Sequence, residues 1–487
     1  MGIRVAFIAA ECEPYAKTGG LGDVVDALAR ALGRLPAEAG IDRPVDVYLP
    51  RYRWLPGEGP ATTITVPDPP AGGRATVRIV DQWADGYRLR LVDHQAAFDR
   101  DGIYGDPGSA DYDDNGWRFM LFGRAAFEAI RTDDPPVDVI HGHDWHACPA
   151  LIARDRWYVD DPVLGRAATV LTVHNLRYHG SIPPHATAAM GLPVGDGLDL
   201  LADGIERADL VNTVSPGFAD EARTPEFGGG LDGSLRARGD RFFGILNGLD
   251  TEVWDPATDQ TLAAPYRAAD LAGKIACRAD LLGRVGFDPG DPGPVLGMVG
   301  RLDPQKGFDL VTEAMPALLG LGARLVVLGA GDATLVDRLR QLARARPDRV
   351  ALTDAFDRDL ARRIYAGSDL FLMPSRFEPC GQAQMIAQRY GTPPIVHATG
   401  GLRDTVVDEH RNPGLGTGWA FRQATADGLA WAATQAIDCY RLGGQGWQGV
   451  VERAMALDFD WRRGAATHYV EAYRRALELR RAPGRSR

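Results

Sequence analysis

The sequence predicts an α/β fold of two doubly wound domains facing each other across a cleft. Three observations carry this. Apolar strand-like runs alternate with helical patterns through both halves, as in βαβ units with parallel sheets. At 487 residues the chain exceeds what one ordinary core encloses. The alternation is interrupted over residues 247–267 (NGLDTEVWDPATDQTLAAPYR), rich in turn residues and weak in periodicity, which suits a linker with a hinge near residue 250.

In chain order, the first half offers strands at residues 4–10, 45–49, 137–141, 169–173 and 210–214. Residues 21–32 read as a helix, with Leu21, Val24, Val25, Leu28 and Leu32 on one face. Pro- and Gly-rich patches at 56–73 and 102–116 read as excursions from the first sheet. The second half restarts at 294–299 and continues at 324–328, 350–352, 370–373 and 394–396. Residues 461–481 form a strongly helical pattern, either a surface helix or one crossing back to the first domain. The expected division is 1–250, 251–460, and a C-terminal helix and tail at 461–487. No repeat of solenoid length stands out.

Composition excludes several classes. A formal charge of −11 without a lysine or arginine run disfavours nucleic acid and acidic membranes as partners. No apolar stretch approaches the roughly 20 residues that span a bilayer. The start, MGIRVAF, runs into a strand without signal-peptide architecture, and Ala6 stands where myristoylation calls for Ser or Thr. The five cysteines are scattered, with no C-x-x-C pair, so neither a disulfide framework nor a zinc site is expected. These features predict a cytoplasmic, reduced protein.

The chemistry-bearing stretches lie where strands end and helices begin. AECEPYAKTGGLGDVV (10–25) puts Lys17 before Gly19 and Gly20, next to a helix start. Without Cβ atoms a ligand can press on backbone N–H groups there, with Lys17 adding a full charge, which favours phosphate. A tight turn with a solvent lysine is the alternative, since the pattern is neither G-x-G-x-x-G nor a P-loop. GMVGRLDPQKGFDL (297–310) repeats the geometry with Arg301 and Lys306, which read either as a diphosphate site able to work without a metal or as a solvent-exposed Arg–Lys pair. MPSRFEPCGQAQMIAQRYGTPPIV (373–396) places Glu378 at a strand end and Gly381 at a helix start. For Glu378 the competing reading is a helix N-terminal charge. HATGGLRDTVVD (397–408) is another strand–Gly-Gly–helix turn. In VIHGHDWHACPA (139–150), His141, His143 and His146 surround Asp144, yet H-x-H-x-x-H is not a standard zinc spacing. TVHNLRYHG (172–180) sets His174 at another strand end.

Together KTGGLGDVV, HDWHA, TVHNL, GILNGLDTEVWDP, GRLDPQKG, SRFEPCG and TGGLRDTV resemble, in order and across most of the chain, the bacterial-type glycogen synthases and plant starch synthases that use ADP-glucose. The resemblance implies two Rossmann-like domains around a deep cleft (the GT-B arrangement), the first on the acceptor side and the second on the nucleotide-sugar side, with the C-terminal helix returning to the first. It implies transfer of glucose to the non-reducing end of an α-1,4-glucan with retention, with ADP-glucose and glycogen as partners and no metal or prosthetic group. By position, Lys17, Gly19 and Gly20 would lie against donor phosphate and acceptor, and Arg301 and Lys306 would neutralise the departing diphosphate. Glu378 would stabilise positive charge on the sugar; Asp144 and His174 would sit beside the transferred glucose, and Asn247 would orient it. Phe356 stands where the family has a tyrosine stacking on adenine. Asp23, Tyr104, Asn175, Cys380, Gly381 and Gln382 complete the implied substrate-binding set. The sequence departs from the family at Gln382-Ala383-Gln384, commonly Leu-Thr-Gln, and at His179, commonly glutamine.

The residues support this chemistry on their own. Glycosyl transfer passes through an oxocarbenium-like state, stabilised by an anion near the ring and cations around the diphosphate. Front-face departure and attack, with ADP's phosphate taking the acceptor proton, is favoured over a covalent glycosyl-enzyme, which needs two carboxyls about 5 Å apart. Competing readings are a UDP-glucose or disaccharide-forming transferase, a pyridoxal-phosphate-dependent phosphorylase, and an inactive glucan-binding scaffold.

Overall fold

The computed structural model describes residues 2–42, 44–106, 108 and 110–481. The chain divides into two compact units, one of Met1–Val214, Ala219–Asn247 and Trp461–Arg487, the other of Ser215–Phe218 and Gly248–Asp460. No described helix is long and apolar enough to cross a membrane.

The first unit holds β1 (Val5–Ile8), β2 (Val45–Pro50), β3 (Ala61–Asp68), β4 (Gly73–Trp83), β5 (Tyr87–Asp93), β6 (Val139–His143), β7 (Ala168–Val173), β8 (Ser181–Ile182), β9 (Leu198–Asp199), β10 (Leu210–Thr213) and β11 (Phe242–Gly244). Nine of them form one sheet in the order β11-β10-β7-β6-β1-β2-β5-β4-β3; β8 and β9 pair separately. Every residue of β1, β2, β6 and β7 is buried, as expected for parallel strands covered on both faces. The helix Gly20–Arg34 buries the apolar face read from sequence. It stops where Leu35, held extended ahead of Pro36, cannot continue the α conformation.

One expectation is corrected. Residues 56–73 are not an excursion: they contain β3, which pairs antiparallel with β4 and extends the main sheet. The threonines and arginines of this hairpin face solvent at the sheet edge, so no continuous apolar run marks it. The adjoining β5 and the short β11 were likewise not anticipated.

The helix Ala465–Arg481 belongs to the first unit, which settles its reading as a crossing helix. It buries Tyr469, Val470 and Tyr473. The Tyr473 hydroxyl lies 2.9 Å from His141 Nδ1, and Asn212 Nδ2 donates to the Tyr469 hydroxyl at 3.2 Å.

The second unit is a six-stranded parallel sheet of β12 (Val295–Val299), β13 (Arg324–Leu328), β14 (Val350–Thr353), β15 (Leu370–Met373), β16 (Pro394–His397) and β17 (Trp419–Phe421). Its order, β14-β13-β12-β15-β16-β17, is the one in which a Rossmann sheet is wound. Leu296, Met298, Val327 and Ile395 pack with Phe308, Met315 and Ile437 from the covering helices. Ser215–Phe218 joins this unit, unlike the rest of the residues before 248, because Ser215 Oγ donates to Pro379 O and Gly217 N to Asp404 Oδ2. Residues 248–271 hold neither helix nor sheet strand; Asp250, Asp255 and Asp259 each accept the N–H two residues on, building successive turns.

Both sheets have a switch point. In the first, β2 and β6 flank β1, so the loops after β1 and β6 diverge at the carboxyl edge; in the second, the loops after β12 and β15 do so. That crevice is where open α/β sheets bind ligands.

Candidate active site

In the first unit the loop after β1 is organised by a residue that the sequence reading missed. Glu11 is buried, and its Oε2 accepts from the backbone N–H groups of Thr18 (2.6 Å) and Gly19 (3.0 Å), while Tyr104 donates its hydroxyl to Oε1 at 2.5 Å. The Gly19 amide, expected to await a ligand anion, is thus held with that of Thr18 by the chain's own carboxylate. Lys17 Nζ pairs with Asp23 Oδ1 at 2.6 Å and Glu13 Oε2 at 3.5 Å, with 38% of its side chain exposed. Asp23 therefore aims the lysine. A Cβ built on Gly19 or Gly20 would meet nothing within 4 Å, and Gly19 has an ordinary extended φ of −144°. Neither packing nor backbone conformation demands these glycines, and the open space above them is what a ligand approaching the main chain requires.

Asp144 opens the helix Asp144–Trp157 and is the one described non-glycine residue with positive φ, at 55°. A left-handed conformation at such a residue costs energy that the surroundings must repay, and such residues cluster at functional sites. Its Oδ1 accepts from His174 N at 2.6 Å, and Asn175 N–H also bonds the carboxylate. Burial outweighs these bonds and raises its pKa to about 7. His174 is lowered to about 3 by burial, so the ring is neutral at neutral pH; its Nε2 lies 3.1 Å from His143 Nδ1. Two other histidines contact aromatic or hydroxyl side chains, although His143 Nε2 and His146 Nδ1 have no hydrogen-bond partner among the described residues. His141 meets Tyr473 and Thr172, and His146 stacks on Tyr104 at 4.6 Å. Among the described residues no three His, Cys, Asp or Glu form a metal-ligating group. Asn175 turns Oδ1 onto Arg177 N (2.9 Å), whereas buried Asn247 has an Oδ1 with no partner, an acceptor left for a ligand. His179 closes its own loop, with Nδ1 2.5 Å from Asp199 Oδ2 and Nε2 3.0 Å from Leu176 O.

In the second unit the two loops at the switch point meet. Lys306 Nζ lies 2.5 Å from Glu378 Oε2, and Ser375 Oγ donates to the same oxygen at 3.1 Å. Glu378 is buried at this ion pair, several residues before the helix Ala383–Arg389, so it is not that helix's N-terminal charge. The contact depends on Gly307, at φ +74°: a Cβ there would fall 2.2 Å from Pro374 O. Gly400 plays the same part beneath Glu378, where a Cβ would lie 2.1 Å from the Glu378 carbonyl oxygen, and Gly401 N donates to that oxygen at 3.1 Å. This second glycine pair serves packing, unlike Gly19 and Gly20. Cys380 is buried under Gly401; Gly381 and Gln382 lead into the helix, whose Gln384 Nε2 donates to the carbonyls of Cys380 and Gly381. Among the described residues Arg301 pairs locally, Nε to Asp303 Oδ2 at 2.5 Å, and keeps 58% of its side chain exposed. Phe356 stands 91% exposed after β14.

Comparison with known proteins shows the family to which the chain belongs. Residues 4–237 match the starch synthase catalytic domain and residues 287–443 the group 1 glycosyl transferases. A glycogen synthase of Anaeromyxobacter dehalogenans is 42% identical, covering 99% of this chain and 100% of that one. The chain belongs to the glycogen and starch synthase family. A glycogen synthase of Syntrophotalea carbinolica is 39% identical over 99% of this chain and 100% of its own length. The catalytic domain of starch synthase IV from Arabidopsis thaliana, bound to ADP and acarbose, superposes with a TM-score of 0.86 at 33% identity, covering 98% of this chain and 100% of that one. The two-domain α/β fold expected from sequence is that of the family.

Asp144 offers a test that separates site from scaffold. Asn keeps an acceptor oxygen for the His174 amide, tolerates positive φ and carries no charge to bury. Between pH 3.8, the ordinary value, and about 7, the folded wild type retains a proton that the unfolded chain has released. Wild-type stability contributed by this group therefore falls as pH rises through that window. Asp144→Asn is expected to melt at or above the wild-type temperature, by a margin that grows up to about pH 7 and then levels off, while kcat/KM falls at least tenfold. Melting curves across that window, beside steady-state rates, check both.

Proposed function

We propose that this chain transfers glucose from ADP-glucose to the non-reducing end of an α-1,4-glucan with retained configuration, releasing ADP. The observation that carries the reading is the second unit's switch point, where Lys306 is paired with the buried carboxylate of Glu378 and exposed Arg301 stands in the same loop as Lys306. Cations favour a departing diphosphate, and a carboxylate favours the positive charge that develops on the sugar. Family membership and a relative bound to ADP and acarbose support the substrate class.

In the transfer, the bond from the sugar C1 to the ADP phosphate oxygen breaks as the acceptor's 4-hydroxyl oxygen forms a bond to C1 on the same face. The hydroxyl proton passes to the departing phosphate oxygen. Glu378 already holds Lys306 and Ser375, and Asp144 holds two backbone amides, so both carboxyl groups serve better as fixed polar partners than as nucleophiles. Within the second unit, Arg301 and Lys306 take the diphosphate and exposed Phe356 offers a face to adenine.

The cations of Arg301 and Lys306 make a resident metal unnecessary. Activity is expected to survive exhaustive treatment with EDTA; loss of turnover, restored by a divalent cation, would overturn this. The donor is tested by comparing ADP-glucose with UDP-glucose at equal concentration with glycogen as acceptor. A kcat/KM at least tenfold higher for ADP-glucose is expected, and equal use of both would contradict the assignment.

A further inference from the structure

The loop after β2, RYRWL (51–55), borders the loop after β1 and is fixed to it twice. The hydroxyl of buried Tyr52 donates to Ala10 O at 2.8 Å, and the Trp54 indole N–H donates to Tyr15 O at 2.9 Å. These acceptors bracket Glu11 and precede Lys17. The Tyr52 and Trp54 rings stack, with centroids 5.2 Å apart and planes within 14°. Arg53, between them, reaches the other way to Asp99 and Asp101, tying the loop to the one after β5. Trp54 thus has its polar edge satisfied and one face covered, yet remains 48% exposed. What it presents is a rigid aromatic face, already paid for in conformational entropy.

Its place in the sheet gives this face a direction. Along the carboxyl edge the order β6, β1, β2 sets the segments that follow these strands, with Asp144, Lys17 and Trp54, side by side. Trp83, at 72% exposure, ends antiparallel β4 and so lies at the opposite edge. A pyranose ring carries rows of C–H groups that pack on the electron-rich face of an indole, and an α-1,4-glucan repeats that surface at every unit.

We infer that Trp54 is a stacking platform for the acceptor glucan, engaging a glucose unit behind the reacting end. This rests on the glucosyltransferase reading above. It makes affinity depend on acceptor length. Trp54→Ala is expected to raise the KM for maltoheptaose and glycogen about three- to tenfold, leaving maltose, the KM for ADP-glucose and kcat at saturating acceptor unchanged. Trp54→Phe is expected to restore most of the loss. Trp54→Leu, which keeps an apolar cover over Tyr52 without an aromatic face, should behave as Ala does and serves if the Ala variant is unstable. Calorimetric binding of maltoheptaose to the donor-free protein gives a second readout, expected to weaken by the same factor in Ala and Leu. Unchanged maltoheptaose affinity in variants of normal melting temperature would overturn the inference, as would an equal rise of KM for maltose. The binding arm stands even if the wild-type chain transfers no glucose, so a failure of Trp54 is distinguishable from a failure of the enzymatic reading.

Discussion

Glu378→Gln is expected to lower kcat by about 10²–10³-fold while changing ADP affinity little. The carboxylate is buried in the loop after β15 with Lys306 and Ser375 on one oxygen, an arrangement that fixes its position beside a cation. A preorganised charge of this kind acts on charge that develops in the transition state, where removal of one such group costs on the order of 3–4 kcal/mol. Because the interaction is weak with neutral ground-state sugar, the loss belongs in kcat and not in donor binding. Glutamine keeps the shape and an oxygen for Ser375. It leaves the Lys306 ammonium without its anion, so a lowered melting temperature is also expected. A lowered melting temperature with unchanged kcat would make Glu378 a structural counter-ion only.

Arg301→Ala is expected to reduce kcat/KM by roughly ten- to more than hundredfold with no change in melting temperature. Charge-assisted hydrogen bonds to phosphate are worth about 1.5–3 kcal/mol each. The guanidinium is more than half exposed and pairs with Asp303, two residues away, so the fold loses almost nothing. Lys306→Ala supplies the contrast. It strands the buried Glu378 carboxylate, and is expected to lower both activity and melting temperature. Near-normal turnover in Arg301→Ala would remove the residue from the site.

Legibility from sequence followed the physics of each signal. Fully buried parallel strands such as β1 and β15 are short continuous apolar runs, and they were read within a residue or two. The loops that follow them were legible because Lys17, Arg301, Lys306 and Glu378 sit where cores do not need charge. The β3–β4 hairpin was lost because its edge position leaves mostly polar residues on one face. Glu11 was overlooked beside the more conspicuous Lys17; its signal was a carboxylate directly after an apolar strand, and only the fold shows it turning back onto Thr18 and Gly19. Pairings between distant residues were out of reach: Lys306 and Glu378 stand 72 positions apart, and His141 and Tyr473 stand 332 apart. The two glycine pairs looked alike in sequence. Only the structure separates Gly400 and Gly401, packed against the backbone of Glu378 and Cys380, from Gly19 and Gly20, which open onto space.

The most direct test of the central claim is ADP release from ADP-glucose with and without glycogen, followed together with glucose incorporated into polymer. The account requires release that depends on glycogen, one ADP for each glucose added, with the new linkages α-1,4. ADP release at the same rate without acceptor, or glycogen binding with no release at all, would contradict it.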